Sequence, residues 1–100
     1  MNKDYDFQFW DFYYHNNEWK IASVFKEGKC IASCCFDYDK TKTIIDTKIN
    51  GQRYNPETDC IETDELLFVS YTIKFNHSNW KKELKEAMFE AAEMFEKRGK

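Results

Sequence analysis

The sequence predicts an α+β fold, in which an antiparallel β-meander of four to six strands carries one C-terminal amphipathic helix packed on one face, giving two layers. Apolar and polar residues alternate with a period of two until about residue 75, and a helical period follows. Residues that favour tight turns stand between the alternating runs. Because these connections are too short for the crossovers of parallel strands, we expect an antiparallel order.

The chain of 100 residues has the length of one domain. We therefore expect a single domain over residues 1–100, with strands over about 5–75 and the helix over about 79–97. A core of this size depends on a few large apolar side chains. Aromatic residues make up 18% of the chain, and each buried ring removes about 150–250 Å² from water.

Four short segments carry residues typical of turns and loops. His15-Asn16-Asn17-Glu18 and Glu27-Gly28 each separate two alternating runs and predict tight hairpins. Asn50-Gly51 is the strongest hairpin dipeptide of the chain, because a type I′ turn needs a positive φ at two successive residues. The segment 55–59 predicts a loop, since Pro56 cannot donate to a strand ladder.

Alternation places one set of residues on the same face of each later strand, with a possible short return strand at 52–54. The sets are Trp19, Ile21, Ser23 and Phe25; Cys30, Ala32, Cys34, Phe36 and Tyr38; Thr43, Ile45, Thr47 and Ile49; and Leu67, Val69, Tyr71, Ile73 and Phe75. This pattern is typical of antiparallel strands with one buried side.

The first run is irregular because its aromatic residues change parity. They stand at odd positions and then at even ones, in the order Tyr5, Phe7, Phe9, Trp10, Phe12 and Tyr14. A β-bulge would produce such a one-residue change of phase. A regular strand with aromatic residues on both faces would produce it equally well, so both alternatives stay open.

The last segment predicts a helix that begins after Ser78 or Asn79, either of which can cap the first free N–H groups. Its apolar arc comprises Trp80, Leu84, Ala87, Met88, Ala91, Met94 and Phe95. At 100° per residue, Phe89 points away from Trp80 and falls on the polar side. Phe89 is therefore expected outside the contact with the sheet.

The patterns of charged and apolar residues disfavour some classes of function. The chain holds 18 acidic and 15 basic residues, a net charge of −3, and no run of Lys or Arg is longer than Lys81-Lys82. Direct nucleic-acid binding is disfavoured, because it usually needs a basic patch. No apolar stretch reaches the roughly 20 residues of a membrane helix, and no export signal opens the chain.

We therefore expect no membrane partner and a cytoplasmic location. If a phage encodes the gene, that location is the cytoplasm of the host cell.

The residues that could carry chemistry have simpler interpretations. Cys30 and Cys34 lie about 13 Å apart along a strand, and Cys35 faces away from both, so a zinc site is disfavoured and buried apolar thiols are expected. Cys60, His15 and His77 stand elsewhere in the chain, with nothing that brings a histidine to a cysteine. The sequence therefore predicts no catalytic residue, no metal ligand, no cofactor and no enzyme.

Two features favour a protein partner. Five carboxylates without a cation between them form either a solvated loop or an acidic docking patch: Glu57, Asp59, Glu62, Asp64 and Glu65. The sheet face away from the helix also retains apolar residues, according to the register: Trp10 or Phe9, Ile31, Leu66 and Phe68. Such a face marks an interface, a second small core or a homodimer contact.

These features predict a small non-enzymatic protein-binding module. More specifically, we expect a phage or mobile-element inhibitor, of the anti-CRISPR or anti-restriction type, that docks on a host defence or nucleic-acid-processing complex. The predicted partner-binding residues are Glu57, Asp59, Glu62, Asp64, Glu65, Phe89, Trp10 and Phe12. The alternatives are a structural or housekeeping subunit that forms a homodimer and, third, a small thiol or zinc-binding protein.

Overall fold

The computed structural model describes residues 4–39, 41–76 and 78–98, which form five strands and one helix. The elements are β1 (Tyr5–Tyr14), β2 (Asn17–Lys26), β3 (Lys29–Asp37), β4 (Ile44–Asn55), β5 (Cys60–Lys74) and α1 (Trp80–Arg98). The strands stand in chain order in one sheet, each antiparallel to the next. The predicted α+β fold with one helix on an antiparallel sheet is confirmed. We call the side under α1 the helix face and the other side the outer face.

The first two connections are the predicted tight hairpins. His15 and Asn16 have φ values of 50° and 65°, and Glu27 and Gly28 have values of 53° and 78°. Two successive residues with positive φ match the right-handed twist of the flanking strands. The predicted loop also lies between two strands, since β4 ends at Asn55 and β5 begins at Cys60.

The predicted hairpin at Asn50-Gly51 is wrong, because this dipeptide lies inside the continuous strand β4. A Cβ atom on Gly51 would stand 2.9 Å from Cβ of Leu67 and 3.5 Å from Cδ2 of Phe95. Glycine is present so that β5 and the helix can approach the backbone of β4 closely. Long-range packing has therefore overridden the local turn preference of the dipeptide.

Strand β1 is regular and has aromatic residues on both faces. Its register with β2 runs without a shift from the Tyr5–Lys26 pair to the Tyr14–Asn17 pair. The bulge alternative for β1 is therefore wrong, and the two-sided strand is the observed one.

A register shift does occur between β2 and β3, where Val24 faces Ala32 but Phe25 faces Cys30. Ile31 is the extra residue of this bulge. The bulge turns Cys30 to the face opposite to that of Ala32, so the expected common face of the third strand begins only at Ala32.

The core lies between α1 and the helix face. Its buried apolar side chains come from both layers and are Tyr5, Ala22, Val24, Ala32, Cys34, Phe36, Ile49, Ile73, Leu84, Met88, Ala91, Ala92 and Phe95. The predicted apolar arc of the helix is correct in the main. It fails at Met94, which is 41% exposed, whereas Ala92 is buried.

An aromatic cluster fixes the start of the helix. The ring of Trp80 lies 4.7 Å from that of Phe75, 6.0 Å from that of Tyr38 and 6.0 Å from that of Phe9. Asn79 directly precedes the helix, and its carbonyl accepts a hydrogen bond from the N–H of Glu83 at 3.0 Å. The predicted start of the helix at this point is confirmed.

The end of the helix is tied to the first two strands through Glu96. Its carboxylate accepts a hydrogen bond from the hydroxyl of Tyr5 and one from Nζ of Lys26 at 3.3 Å. Burial raises the pKa of Tyr5 above its usual value, and the hydrogen bond to Glu96 raises it further. The folded protein therefore holds this phenol in its neutral form.

We predict that Gly51→Ala destabilises the protein by about 1–3 kcal/mol, because the new Cβ overlaps a side-chain atom next to the backbone of Leu67. Urea unfolding followed by circular dichroism measures this free energy. Replacing an unconstrained glycine by alanine usually stabilises a protein by about 0.4–1 kcal/mol. An unchanged or raised stability would therefore contradict the packing role of Gly51.

We predict that Tyr5→Phe lowers the free energy of unfolding at pH 7 by about 0.5–1.5 kcal/mol through loss of the bond to Glu96. The unfolded chain ionises Tyr5 near pH 10 while the folded chain keeps it neutral. The stability from Tyr5 is thus fully present below about pH 10 and declines above it. Urea unfolding between pH 7 and 11 should show that the difference in the free energy of unfolding between wild type and Tyr5→Phe decreases above about pH 10.

A difference that does not change with pH would contradict the role of the neutral Tyr5 hydroxyl. Tyr13→Phe is the control, because Tyr13 is exposed.

Candidate functional site

Four apolar side chains lie side by side on the outer face of β1 and β2. Trp10 stands opposite Ile21 in the register, and Phe12 stands opposite Trp19. The rings of Phe12 and Trp19 stack with centroids 6.4 Å apart. Trp10 is 42% exposed, and the other three side chains are half-buried. We call Trp10, Phe12, Trp19 and Ile21 the outer strip.

The strip follows from the parity of the strands and the position of the helix. Even residues of β1 and odd residues of β2 share the outer face, which α1 does not cover. Across β2, the exposed Cys35 of β3 stands opposite Ile21 and extends the strip. The strip ends where the hydroxyls of Ser23 and Ser33 hydrogen-bond to each other at 3.1 Å.

One carboxylate borders the strip and a second lies further along the same face, while the outer positions around them hold no cation. Asp37 of β3 stands opposite Trp19, and Asp6 lies on the same face near the start of β1. The outer positions of β1, β2 and β3, all among the described residues, include no Lys or Arg. This part of the outer face therefore has an apolar centre and a negative margin.

Lys20 is directed to the helix face instead. Its Nζ lies 2.5 Å from a carboxylate oxygen of Glu18 and 3.4 Å from one of Asp11. Burial opposes the charge of Lys20, but these two carboxylates outweigh it and raise the pKa of the amine. Lys20 is thus held away from the strip as a charged, paired group.

Within the strip, Nε1 of Trp19 is buried and has no hydrogen-bond partner among the described residues. A buried donor without an acceptor costs about 1–3 kcal/mol. The other atoms of the indole contribute apolar surface to the stack with Phe12. The strip therefore contains one polar group whose hydrogen bond is missing.

The acidic segment forms the far end of the β4–β5 hairpin, and three of its carboxylates have local roles. Asp59 accepts a hydrogen bond from the hydroxyl of Tyr54. Glu62 accepts one from Nδ2 of Asn55 at 3.2 Å. These bonds hold the tip of the hairpin in place.

The third of these carboxylates is that of Asp64, which accepts a hydrogen bond from the N–H of Leu66 at 3.1 Å. Glu57 and Glu65 are exposed, without a hydrogen bond to their carboxylates among the described residues. Three of the five carboxylates of the predicted acidic patch are therefore engaged in hydrogen bonds within the hairpin.

The structure does not bring the predicted partner-binding residues onto one surface. Gly51, at the base of the acidic hairpin, lies beside Phe95 near the end of the helix. Phe9, next to Trp10, lies beside Trp80 at the start of the helix. The first and last strands of a five-stranded sheet are also about 19 Å apart. Trp10 and Phe12 thus form one surface, and the acidic segment forms another at the diagonal corner.

Phe89 belongs to neither surface, and its predicted exposure is wrong. Its ring packs at 5.6 Å from the ring of Tyr5 and at 6.3 Å from that of Phe7, and it is half-buried. The helix-face aromatic residues of β1 reach around the flank of the helix and cover Phe89. The helical wheel could not reveal this contact, because it treats the helix as touching the sheet along one stripe.

Two members of the outer strip, Trp19 and Ile21, were absent from the sequence-based prediction. Alternation separates them from Lys20 and Ala22 but does not decide which of the two sets faces the helix. The tight hairpin at His15-Asn16 carries the missing information, because a two-residue turn fixes the cross-strand partners of Trp10 and Phe12.

The cysteines stand in different environments. Cys34 is buried, and burial raises the pKa of its thiol to about 12. Cys35 and Cys60 are exposed, and Cys30 is half-buried. Among the described residues, no group of three or more His, Cys, Asp or Glu side chains could hold a metal ion. His15 lies in the first turn with its ring 4.1 Å from that of Tyr14, and His77 lies outside the described residues.

Comparison with protein-family models, with curated proteins and with solved structures found no match for this chain. In the part of the chain that the structure describes, no helix has the length and the apolar character needed to span a membrane. The function therefore has to be argued from the geometry of the outer face itself.

We predict that thiol-specific reagents modify the exposed Cys35 and Cys60 of the native protein, while Cys34 stays unmodified until the protein unfolds. The thiolate is the reactive form, and burial disfavours it at Cys34. Labelling at pH 7.5 followed by peptide mass spectrometry gives the rate at each site. Labelling of Cys34 as fast as Cys60 would contradict the buried position and would support a reactive thiol.

Proposed function

We propose that this chain is a small non-enzymatic protein-binding module that docks on its partner through the outer strip. The observation that carries the proposal is the outer strip itself, because four adjacent apolar side chains lie on a sheet face that no second layer of the described residues covers. Exposed apolar patches rimmed by polar groups are typical of protein interfaces.

The residue types of the strip suit an interface core. Tryptophan, tyrosine and phenylalanine are enriched there, and a few large side chains usually supply most of the binding energy. Trp10 is the most exposed member, so it is the proposed anchor that inserts into the partner. The stack of Phe12 on Trp19 is rigid support beside that anchor.

The charges around the strip favour a different protein over a second copy of this chain. Asp37 borders the strip, Asp6 lies beyond Gln8 on the same face, and the outer positions of β1 to β3 hold no compensating cation. Two copies packed strip to strip would bring these carboxylates into one desolvated interface, and like charges there are costly. The proposed partner therefore offers an apolar pocket with lysine or arginine at its rim.

The unpaired indole N–H of Trp19 supports the same assignment. An acceptor on the partner, reached by a small turn of the ring, would supply the missing hydrogen bond. Binding would then gain a hydrogen bond that the free protein lacks. This gain adds specificity to an apolar contact, which has little directionality.

The class of partner that we propose is a host defence or nucleic-acid-processing complex, with this chain as a phage or mobile-element inhibitor. Such complexes present basic surfaces that bind phosphates. A protein with a net charge of −3, an acidic margin around an apolar strip and a separate acidic hairpin tip is complementary to a basic surface. Inhibition by docking needs no catalytic residue in this chain.

The test begins with affinity capture from the source cell and continues with the purified partner. We predict that the double variant Trp10→Ser, Phe12→Ser weakens binding by about 2 kcal/mol or more, roughly 30-fold, in isothermal titration calorimetry. Tyr13→Ser is the matched control, since Tyr13 lies on the same strand, is 74% exposed and points to the opposite face. The control should bind within about threefold of wild type.

Two outcomes would count against the proposal. One is equal binding by the double variant and wild type, with both proteins folded by circular dichroism. The other is a homodimer at micromolar concentration in sedimentation velocity that the double variant converts to a monomer. That result would assign the outer strip to self-association and favour a structural subunit.

A further inference from the structure

A cleft separates the start of β3 from the β4–β5 hairpin at the end of the sheet near the helix C-terminus. Its volume is about 520 Å³, and apolar side chains of Ile31, Tyr54 and Ile61 contribute to its walls. Ile61 is 51% exposed, and Gly28 has open space where a side chain would stand. The cleft is therefore open to a partner from the solvent side.

Two irregularities of the sheet create this cleft. The bulge at Ile31 bends β3, and the register of β4 with β5 shifts between Asn50 and Gly51. Both irregularities adjoin the short ladder between β3 and β4, whose pairs are Ala32–Gly51 and Ser33–Asn50. A bulge increases local twist and bends its strand, so the two strands diverge beyond these pairs.

The divergence leaves strand edges inside the sheet. Lys29 and Cys30 of β3 pair with β2 on one side, Ile31 is the unpaired residue of the bulge, and in the register of the described residues none of the three has a partner on the β4 side. An unpaired strand edge is a template for an added strand. Three residues span about 10 Å, so the edge suits a short extended segment.

The charged residues that line the cleft indicate which charge a bound segment would carry. Lys29 and Arg53 line the cleft and are both exposed. Asp59 also lines it, but its carboxylate already accepts the hydroxyl of Tyr54. The lining thus holds two cations and one carboxylate, which gives the cleft one net positive charge on a protein of net charge −3.

We propose that this cleft binds an extended peptide segment of another protein, which adds a short strand to the free edge of β3, places an apolar side chain against Ile31 and Ile61, and pairs its acidic residues with Lys29 and Arg53. The site is distinct from the outer strip, which lies on β1 and β2 at the other end of the sheet. The inference therefore does not rest on the proposed function.

The test uses the full chain labelled with ¹⁵N and two six-residue probe peptides with blocked ends. One probe alternates glutamate and valine, and the other alternates lysine and valine. We expect the glutamate probe to shift the amide signals of residues 29–31 and 52–54 in a saturable way. The lysine probe should leave these signals in place.

Three variants locate the site. Lys29→Glu combined with Arg53→Glu should weaken binding of the glutamate probe by about tenfold through loss of two exposed ion pairs. Ile61→Ser should weaken it through loss of the apolar wall. Leu66→Ser is the matched control, because Leu66 is 88% exposed on the same strand and does not line the cleft. The melting temperature of each variant verifies that it is folded.

The proposal is overturned if the glutamate probe shifts no signal of the cleft, or if both probes shift the same signals equally. Shifts confined to residues 10, 12, 19 and 21 would overturn it as well, since they would place the peptide on the outer strip. Loss of partner binding in the Trp10→Ser, Phe12→Ser variant with unchanged probe binding would separate the two sites.

Discussion

A single helix covers one face of a five-stranded sheet, and the distribution of the large side chains follows from this constraint. On the helix face, rings close around both ends of α1, with Trp80 at its start and Tyr5 at its end. On the outer face, the equally apolar residues Trp10 and Phe12 have no second layer over them in the part of the chain that the structure describes. The amino-acid composition thus contains more aromatic surface than one helix can bury, and the surplus defines the candidate site.

The parts of the fold that depend on near neighbours could be predicted from the sequence. The hairpins at His15-Asn16 and Glu27-Gly28 need only residues that accept positive φ. Asn50-Gly51 has the same local preference, yet it lies inside β4 because Leu67 and Phe95 occupy the space beside it. The residues next to Gly51 in the chain do not predict that contact. Local propensity is informative until packing between distant segments decides the conformation.

In the candidate site, too, some residues could be placed from the sequence and others could not. Alternation alone predicts that Trp10 and Phe12 share a face but leaves open which face, and the unshifted register with β2 places both on the outer face. Phe89 could not be placed, because its burial depends on Tyr5, more than eighty positions away in the chain. The sequence of the acidic hairpin is compatible with a single docking patch of carboxylates. Side-chain bonds such as that between Asp59 and Tyr54 give some of its carboxylates a structural role that composition does not reveal.

The short ladder between β3 and β4 also bears on how the chain unfolds. The first three strands form one meander of local pairings, and β4 with β5 forms a long hairpin. The helix packs against β2 and β3 in one half and against β4 and β5 in the other. Since few backbone pairs join the halves, the helix, which packs on both, adds to the coupling that makes their unfolding cooperative. Fraying of α1 would therefore weaken the coupling between the two halves along the line of the cleft.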